Sequence, residues 1–208
     1  MRFSDAQQLS HNVPLIERAL AEHFSGDDLR IEMTGFLKLM SDMERYIMDS
    51  QIKSFTIAFV VVSAMMMLLL RSVRLGLFAM IPNLMPILLG IAFMGTVGIK
   101  LDPGTIVIGC IALGLVVDDT VHFLVRLRRH LVEENRGVPD AIERTMDEAG
   151  RPIIITSVLL AGGFLTLVMG SFAPNIYFGV ITGMIILIAL VADLVVLPAA
   201  LLVIKPKI

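Results

Sequence analysis

The stretch "TIVIGCIALGLVVDDTVHFLV", residues 105–125, is long and apolar enough to cross a membrane, yet it carries three ionisable groups near its end. These groups are the adjacent carboxylates of Asp118 and Asp119 and the imidazole of His122. Twelve Ile, Leu, Val and Phe residues between positions 106 and 125 favour insertion by roughly 4–7 kcal/mol, and two central aspartates oppose it by roughly 5–7 kcal/mol. The stretch therefore predicts a membrane helix that needs neighbouring helices, with its carboxylates directed into the bundle.

Four further apolar runs flank this one, and 56% of the 208 residues are hydrophobic. Runs of about 20 apolar residues are typical of membrane helices, whereas soluble domains rarely have so many. The sequence therefore predicts an all-α bundle that forms a five-helix transmembrane domain over 36–208. The predicted spans are about 51–70, 76–98, 103–125, 153–171 and 176–204.

The distribution of lysine and arginine predicts the orientation of these spans. Ten basic residues fall in the connectors and tail on one side, against Lys100 in the short turns opposite. By the positive-inside rule the ten mark the cytoplasm. We therefore expect a multi-pass protein of the cytoplasmic (inner) membrane with its N-terminus outside and its C-terminus inside. The ten are Arg71, Arg74, Arg126, Arg128, Arg129, Arg136, Arg144, Arg151, Lys205 and Lys207.

The first 35 residues have the pattern of soluble structure. Asn12 and Pro14 can cap and start a short amphipathic helix, and residues 29–34 alternate apolar and polar side chains as a half-buried strand does. Residues 1–35 are therefore interpreted as the end of an extracytoplasmic, periplasmic domain, a small α/β remnant. From about residue 36 helical spacing continues into the first span, which predicts one unbroken helix to residue 70.

The N-terminal residues contain no secretory signal, because they have no apolar core region. One short helix and one strand also cannot close a hydrophobic core. We expect the chain to be a fragment, the end of a larger protein, in which an upstream span delivers this part outside. Translocation of a genuine N-terminal tail is the alternative.

The inner connector contains a short amphipathic pattern over about 138–150. Pro139 suits its first turn, Gly150 suits its end, and Ile142, Met146 and Ala149 share one face. Two positions are open for this helix: on the cytoplasmic membrane surface, or as a solvated connector.

The acidic pair is the best candidate for chemistry. Asp118 and His122 are four residues apart and share a helix face, while Asp119 lies about 100° around. Adjacent carboxylates in a low dielectric are suited to binding and releasing a proton, which predicts a proton relay of Asp118, Asp119 and His122. Alternatively, the aspartates cap or bridge to a neighbouring helix without titrating.

Two further polar residues lie within predicted spans. Asp193 lies in the last span, and Asn83 lies between Pro82 and Pro86 in the second, so both are candidate accessory polar groups. The sequence contains no metal-ligand spacing, phosphate loop or nucleophile triad, so we expect no enzyme activity, metal site or cofactor other than protons as the coupling ion. The net charge of −2 gives no reason to expect nucleic acid as a partner.

The order of these motifs resembles a known family. The segments "IPNLMPILLG" (81–90), "GLVVDDTVHF" (114–123) and "VADLVVLPAALL" (191–202) follow a long helix that enters the membrane. This series is similar to the five-helix unit that ends each half of resistance–nodulation–division (RND) transporters. It resembles most the MMPL-like and Patched-like exporters that share the sterol-sensing-domain arrangement.

The resemblance implies two such halves, of which this chain is expected to be the C-terminal one, and export of lipids or other hydrophobic compounds driven by the proton gradient. In MMPL-like members the corresponding motif is Asp-Tyr and forms the proton relay; Asp118 matches the Asp, whereas Asp119 replaces the Tyr. The implied partners are membrane lipids, a hydrophobic substrate and the missing N-terminal half or a second copy of the unit, with a homo-oligomer as a further form. Two alternatives remain: a sterol-sensing-type lipid-binding regulatory module, and a scaffold subunit of a lipid-trafficking or secretion complex.

Overall fold

The structure is a computed structural model in which almost every described residue is helical. It describes residues 12–13, 15–16, 18–20, 22–23, 35–99, 103–134 and 136–204. From residue 35 onward the described residues form six α-helices, in chain order: α1 (Phe36–Leu70), α2 (Val73–Val97), α3 (Pro103–Val132), α4 (Val138–Leu165), α5 (Ala173–Val191) and α6 (Leu197–Ile204). A 3₁₀ turn (Thr166–Met169) follows α4, and a π-helical turn (Ala192–Val196) joins α5 to α6.

The chain divides into two compact units, residues 1–52 and 53–208. In the first unit the described positions between 12 and 23 are helical, as predicted, although Leu15 and Ile16 of the predicted apolar face are exposed. The predicted strand over 29–34 lies outside the described residues, and no strand occurs among those that are described. The α/β character predicted for the N-terminus therefore has no support, and the described chain is all-helical.

Helix α1 is unbroken from Phe36 to Leu70, which confirms the predicted continuity. Its sequence contains neither Gly nor Pro, the two residues that most readily interrupt a helix. In the second unit Met66 and Leu70 enter the hydrophobic core, with Phe55 and Phe59 packed against it.

Five helical segments of the described chain are long and apolar enough to cross a membrane, as predicted. They are Lys38–Leu70, Leu75–Val97, Val107–Val132, Val138–Met169 and Ala173–Val203. Helix α5 is central to the second unit, because it packs against α2, α3 and α4. This arrangement brings the middle of α3 against α2 and α5, where the polar residues of the spans meet.

Helix α2 is bounded by local signals that the sequence contains. Ser72 caps its start by accepting a hydrogen bond from the Leu75 backbone N–H at 3.4 Å. Gly98 ends it in the left-handed conformation, φ 73°, which glycine adopts without steric cost. Pro82 and Pro86 lie inside the helix without dividing it, so Asn83 is held on a continuous helical face.

Helix α4 corrects the prediction of a separate amphipathic helix that ends at Gly150. The helix runs on through Gly150 and Pro152 to Leu165. Pro152 lacks the N–H that would bond the Glu148 carbonyl four residues earlier, and Nη1 of Arg126 donates to that carbonyl instead, at 2.6 Å. The freed carbonyl is thus satisfied by a side chain of α3, and the helix continues.

The apolar face of the 138–150 segment is part of the protein core. Ala141, Ile142 and Ala149 belong to the core cluster, and Met146 packs against it. This face therefore contacts neighbouring helices, in contrast to both positions left open by the sequence, the membrane surface and the solvated connector.

Helix α5 approaches α4 closely at two glycines. A methyl group at Gly179 would collide with the Phe164 carbonyl oxygen, and one at Gly183 would lie 3.2 Å from Cγ of Leu165. Small residues allow such close helix contact in membrane proteins. The π-helical turn that follows α5 carries Asp193.

Candidate functional site

Helix α3 directs three consecutive polar residues to three different surroundings. Asp118 is exposed, Asp119 is half-buried and Thr120 is fully buried. Successive residues of an α-helix are about 100° apart, so three neighbours in sequence point to different sides of the helix. The acidic pair is therefore divided between two sides of α3.

Asp118 lies on the outer face of the described bundle together with His122. Their side chains are 74% and 67% exposed, and Nε2 of His122 lies 3.7 Å from Oδ1 of Asp118. This pair forms an ion pair only when the imidazole is protonated. The prediction that both carboxylates face the bundle interior is wrong for Asp118 within this five-helix unit, because its side of α3 has no neighbouring helix here.

Asp119 turns toward α4 and is bound there by hydroxyl groups. Ser157 donates to Oδ2 of Asp119 at 2.7 Å, and the Thr156 hydroxyl lies 3.5 Å from Oδ1. Thr156 also lies 3.0 Å from the carbonyl oxygens of Pro152 and Ile153 in its own helix, so Ser157 is the principal partner. The short bond links α3 to α4 within the apolar part of both spans.

A second polar cluster is fully buried between α2, α3 and the π-helical turn. Oγ1 of Thr120 lies 2.5 Å from Oδ1 of Asn83 and 2.6 Å from Oδ1 of Asp193. The exposed fractions are 0% for Asn83 and Thr120 and 1% for Asp193, which places the cluster out of reach of solvent. We call these three residues the Thr120 cluster.

Proton counting constrains the Thr120 cluster. A hydroxyl has one proton, so Thr120 donates to only one of the two oxygens that it approaches. The other contact needs a proton from the partner, either from the Asn83 amide turned so that its NH₂ group faces Thr120 or from a protonated Asp193 carboxyl. As placed, Nδ2 of Asn83 and Oδ2 of Asp193 have no hydrogen-bond partner within the described chain. The cluster therefore holds a hydrogen-bond arrangement that depends on where one proton lies.

The backbone around Asp193 is itself unusual. Residues 192–196 form a π-helical turn between two α-helices, and such turns in α-helices are frequently found at functional sites. The wider turn is followed by Leu197, which is fully buried in the core.

The structure thus groups the sequence-predicted site residues differently from the prediction. It joins the two accessory residues, Asp193 and Asn83, to each other through Thr120, and it separates Asp118 with His122 from Asp119. Sequence reasoning missed Thr120 and Ser157. Thr120 lies four residues after Val116 and so shares a helix face with that buried residue, which could have indicated that Thr120 is buried too. No local pattern in the sequence indicates Ser157 as the partner of Asp119.

The connector between α3 and α4 carries a separate group of charges. The buried His130 lies with Nδ1 3.0 Å from Oε1 of Glu134 and with Nε2 3.5 Å from Oε2 of Glu148. Arg136 donates to Oε2 of Glu134 at 2.6 Å. The Arg136 hydrogen bond, followed by that of His130, holds the pKa of the Glu134 carboxyl below its ordinary value.

None of these groups forms a metal-binding constellation. Across the residues that the structure describes, no three His, Cys, Asp or Glu side chains come together as candidate ligands. The chemistry of the described polar clusters is that of hydrogen bonds and protons between carboxyl, hydroxyl, amide and imidazole groups.

Five apolar helices with a buried carboxyl between them define a multi-spanning helical membrane protein. The chain belongs to the MMPL family, whose family model matches residues 4–207. This match confirms the resemblance that the motifs of the second, third and fifth spans indicated.

A protein of Methanocaldococcus jannaschii described as a membrane protein, MJ1562, is similar to the chain, with 26% identity over 168 residues. The matched region is 80% of this chain and 42% of that protein, so the chain spans about two fifths of the relative's length.

Proposed function

We propose that the chain is part of an exporter that uses the proton-motive force to move lipids or other hydrophobic compounds across the cytoplasmic membrane. Membership in the MMPL family supports a transport role. The observation that carries the proton coupling is the exposed pair of Asp118 and His122 in a span that is mostly apolar.

An exposed carboxylate in this span has a physical consequence. A charged Asp near the centre of a membrane helix costs about 2.5–3.5 kcal/mol by insertion scales, so it faces other protein or water and avoids lipid. We therefore propose that a second helical unit, either another half of the same protein or a second copy in a homo-oligomer, covers the face that carries Asp118 and His122. The proton relay is completed at that contact.

The proton acts by changing which packing arrangement is favoured. A neutral Asp118 tolerates an apolar contact, whereas an ionised one requires a polar partner such as protonated His122. The proton-motive force supplies about 2.3 kcal/mol per charge per 100 mV, plus about 1.4 kcal/mol per pH unit. Such a force shifts a two-state contact by tenfold or more, which is sufficient to drive alternating access.

Asp119 has a different role in this proposal. Because Ser157 and Thr156 bind its carboxylate, Asp119 links the relay on α3 to α4 and transmits a change at Asp118 to that helix. No cofactor other than the proton enters the proposal.

The test is substrate-dependent proton flux in the complete protein reconstituted in proteoliposomes. A fluorescent long-chain lipid analogue serves as the probe substrate, and a lumenal pH-sensitive dye reports proton movement under an imposed gradient. Asp118→Asn should abolish both signals, Asp119→Asn should shift the pH profile, and His122→Ala should have a smaller effect. Asp147→Asn, an equal charge change at an exposed position of α4, is the matched control and should behave as wild type.

Wild-type export by Asp118→Asn under the same gradient would contradict the relay. If lipid binding persisted in that variant and wild type carried no proton flux, the alternative of a sterol-sensing-type regulatory module would take its place. A protein with neither flux nor lipid binding would correspond to a scaffold subunit.

The orientation is part of the proposal and has its own test. The ten basic residues on one side support a cytoplasmic α3–α4 connector and C-terminus, with residues 1–35 in an extracytoplasmic domain. In a Cys110→Ser background, Asn135→Cys should react with a membrane-impermeant maleimide only in inverted vesicles, and Asp27→Cys only in right-side-out cells. Labelling of both positions from one side would overturn the orientation.

A further inference from the structure

A groove at the proposed cytoplasmic end of the bundle has the composition of a lipid headgroup site. It has a volume of about 300 Å³ and opens between the last turn of α1 and the last two turns of α3. Arg126, Arg128 and Arg129 line it together with one carboxylate, Glu133. Leu69, Val125 and Val132 form its apolar part.

The positive charge of this groove exceeds the negative charge around it. The C-terminal end of α3 carries about −0.5 elementary charge from its backbone dipole, and Glu133 adds one negative charge. Three guanidinium groups outweigh both. Arg126 donates to a neutral backbone carbonyl, and Arg129 lies 3.5 Å from Glu133, so about half of the positive charge is uncompensated.

Arg128 provides an independent indication of an anion site. Its Nε atom is buried and has no hydrogen-bond partner among the described residues. A buried N–H donor normally finds an acceptor, and a guanidinium presents its donors in a planar fork that fits phosphate oxygens. Arg128 lines the groove, whose other side chains are cationic or apolar apart from the Glu133 carboxylate.

The apolar side chains decide which anion fits. The groove lies at the end of the candidate span Val107–Val132, where a membrane helix passes from hydrocarbon to headgroups. Leu69 and Val125 offer surface to acyl chains while the arginines face the phosphate layer. A soluble anion would leave this apolar surface unused, whereas a phospholipid covers both parts.

We propose that this groove binds the headgroup of an anionic phospholipid. The groove begins at Val125, about one turn of α3 beyond His122, and lipid binding there does not require transport. Each arginine near a membrane surface contributes about 1 kcal/mol to attraction of anionic lipid, which corresponds to about fivefold in affinity.

The experiment measures lipid retention by the purified full chain with native mass spectrometry and thermal shift. Phosphatidylglycerol and phosphatidylcholine with the same acyl chains are compared, and inorganic phosphate and glycerol phosphate are added separately. Wild type should retain phosphatidylglycerol in preference to phosphatidylcholine, and Arg128→Gln should reduce that preference about fivefold. Free phosphates at millimolar concentration should not displace the lipid.

Arg144→Gln is the matched control, since Arg144 is an exposed arginine of α4 outside the groove. It should leave the preference unchanged. Because the partly buried Arg128 could also affect folding, Arg129→Gln is a second variant; its side chain is 66% exposed, and it too should reduce the preference about fivefold. The site is overturned if Arg129→Gln retains the full preference, if Arg144→Gln loses as much, or if inorganic phosphate displaces the lipid.

Discussion

Two faces of helix α3 show how burial separates the roles of polar residues in a membrane protein. Asp118 and His122 lie on a face of α3 that no described helix covers, whereas the Thr120 cluster lies sealed between α2, α3 and the π-helical turn. The exposed pair can change partners and protonation. The sealed cluster holds three parts of the bundle together and exchanges with solvent only if the bundle opens.

In the proposed relay the proton-carrying acid is the exposed Asp118, and the more buried Asp193 has a structural role. Asp193 has its partner inside the unit, so removing that partner should act on stability. Asp118 has only His122, four residues along its own helix, so removing its charge should act on function.

The largest expected effect on stability is from Thr120→Val, which keeps the side-chain shape and removes the hydroxyl. The Thr120 contacts of Asn83 and Asp193 are then both lost. We expect a loss of about 1–3 kcal/mol in the free energy of unfolding. This exceeds the average of about 0.6 kcal/mol for an interhelical hydrogen bond in a membrane, because one hydroxyl serves two partners.

The measurement is a denaturing-detergent titration in mixed micelles, followed by circular dichroism. Thr120→Ser keeps the hydroxyl and is the control, expected to lose much less. Equal losses in the two variants would mean that the methyl group and not the hydroxyl stabilises the fold. The hydrogen bonds of the Thr120 cluster would then not hold the helices together.

An intermediate effect is expected at the link between α3 and α4. Ser157→Ala removes the 2.7 Å hydrogen bond to Asp119 and should cost about 0.6 kcal/mol, with an upper value near 1.7 kcal/mol. Thr156→Val removes only the 3.5 Å contact and should cost less. The same titration checks both, and a larger loss for Thr156→Val would reverse the assignment of the principal partner.

A smaller effect on stability is expected for Asp118→Asn, within about 0.5 kcal/mol, because the side chain has no partner in another helix of the described unit.

Accessibility sharpens this prediction. In a Cys110→Ser background, Asp118→Cys in the isolated chain should react with a small maleimide in detergent, whereas Asp193→Cys should be protected. Protection of Asp118→Cys in the complete protein would identify the face that the second unit covers, and equal reactivity of the two positions would remove the contrast between the regions.

The smallest effect on stability is expected at the connector between α3 and α4, which lies outside both regions and serves as a reference. Arg136 and His130 hold the pKa of Glu134 low, so their contribution to stability is present above the ordinary pKa of a glutamate and is lost as pH falls through the lowered value. Glu134→Gln should lower the melting temperature slightly at neutral pH, and the difference from wild type should vanish in acid. A difference that grew on acidification would contradict the sign, and thermal unfolding at a series of pH values checks it.

Composition and local signals were sufficient to predict much of the fold. The five spans, the unbroken helix through residues 41–54 and the family follow from runs of apolar residues, the absence of helix breakers and short motifs, all of which are local properties. The end predicted at Gly150 was wrong, because the Arg126 guanidinium that satisfies the carbonyl freed by Pro152 comes from another helix.

The sequence alone determined that Asp118, Asp119, Asp193 and Asn83 lie within membrane helices, since hydropathy and spacing decide depth. Only the tertiary structure decided their partners. Helical periodicity places Asp118 and Asp119 on different faces, but which face meets α4, which meets α2 and which meets nothing depends on how the helices pack. That packing is set by contacts between residues far apart in the chain, such as Gly179 against Phe164 and Thr120 against Asp193, and no local pattern contains them.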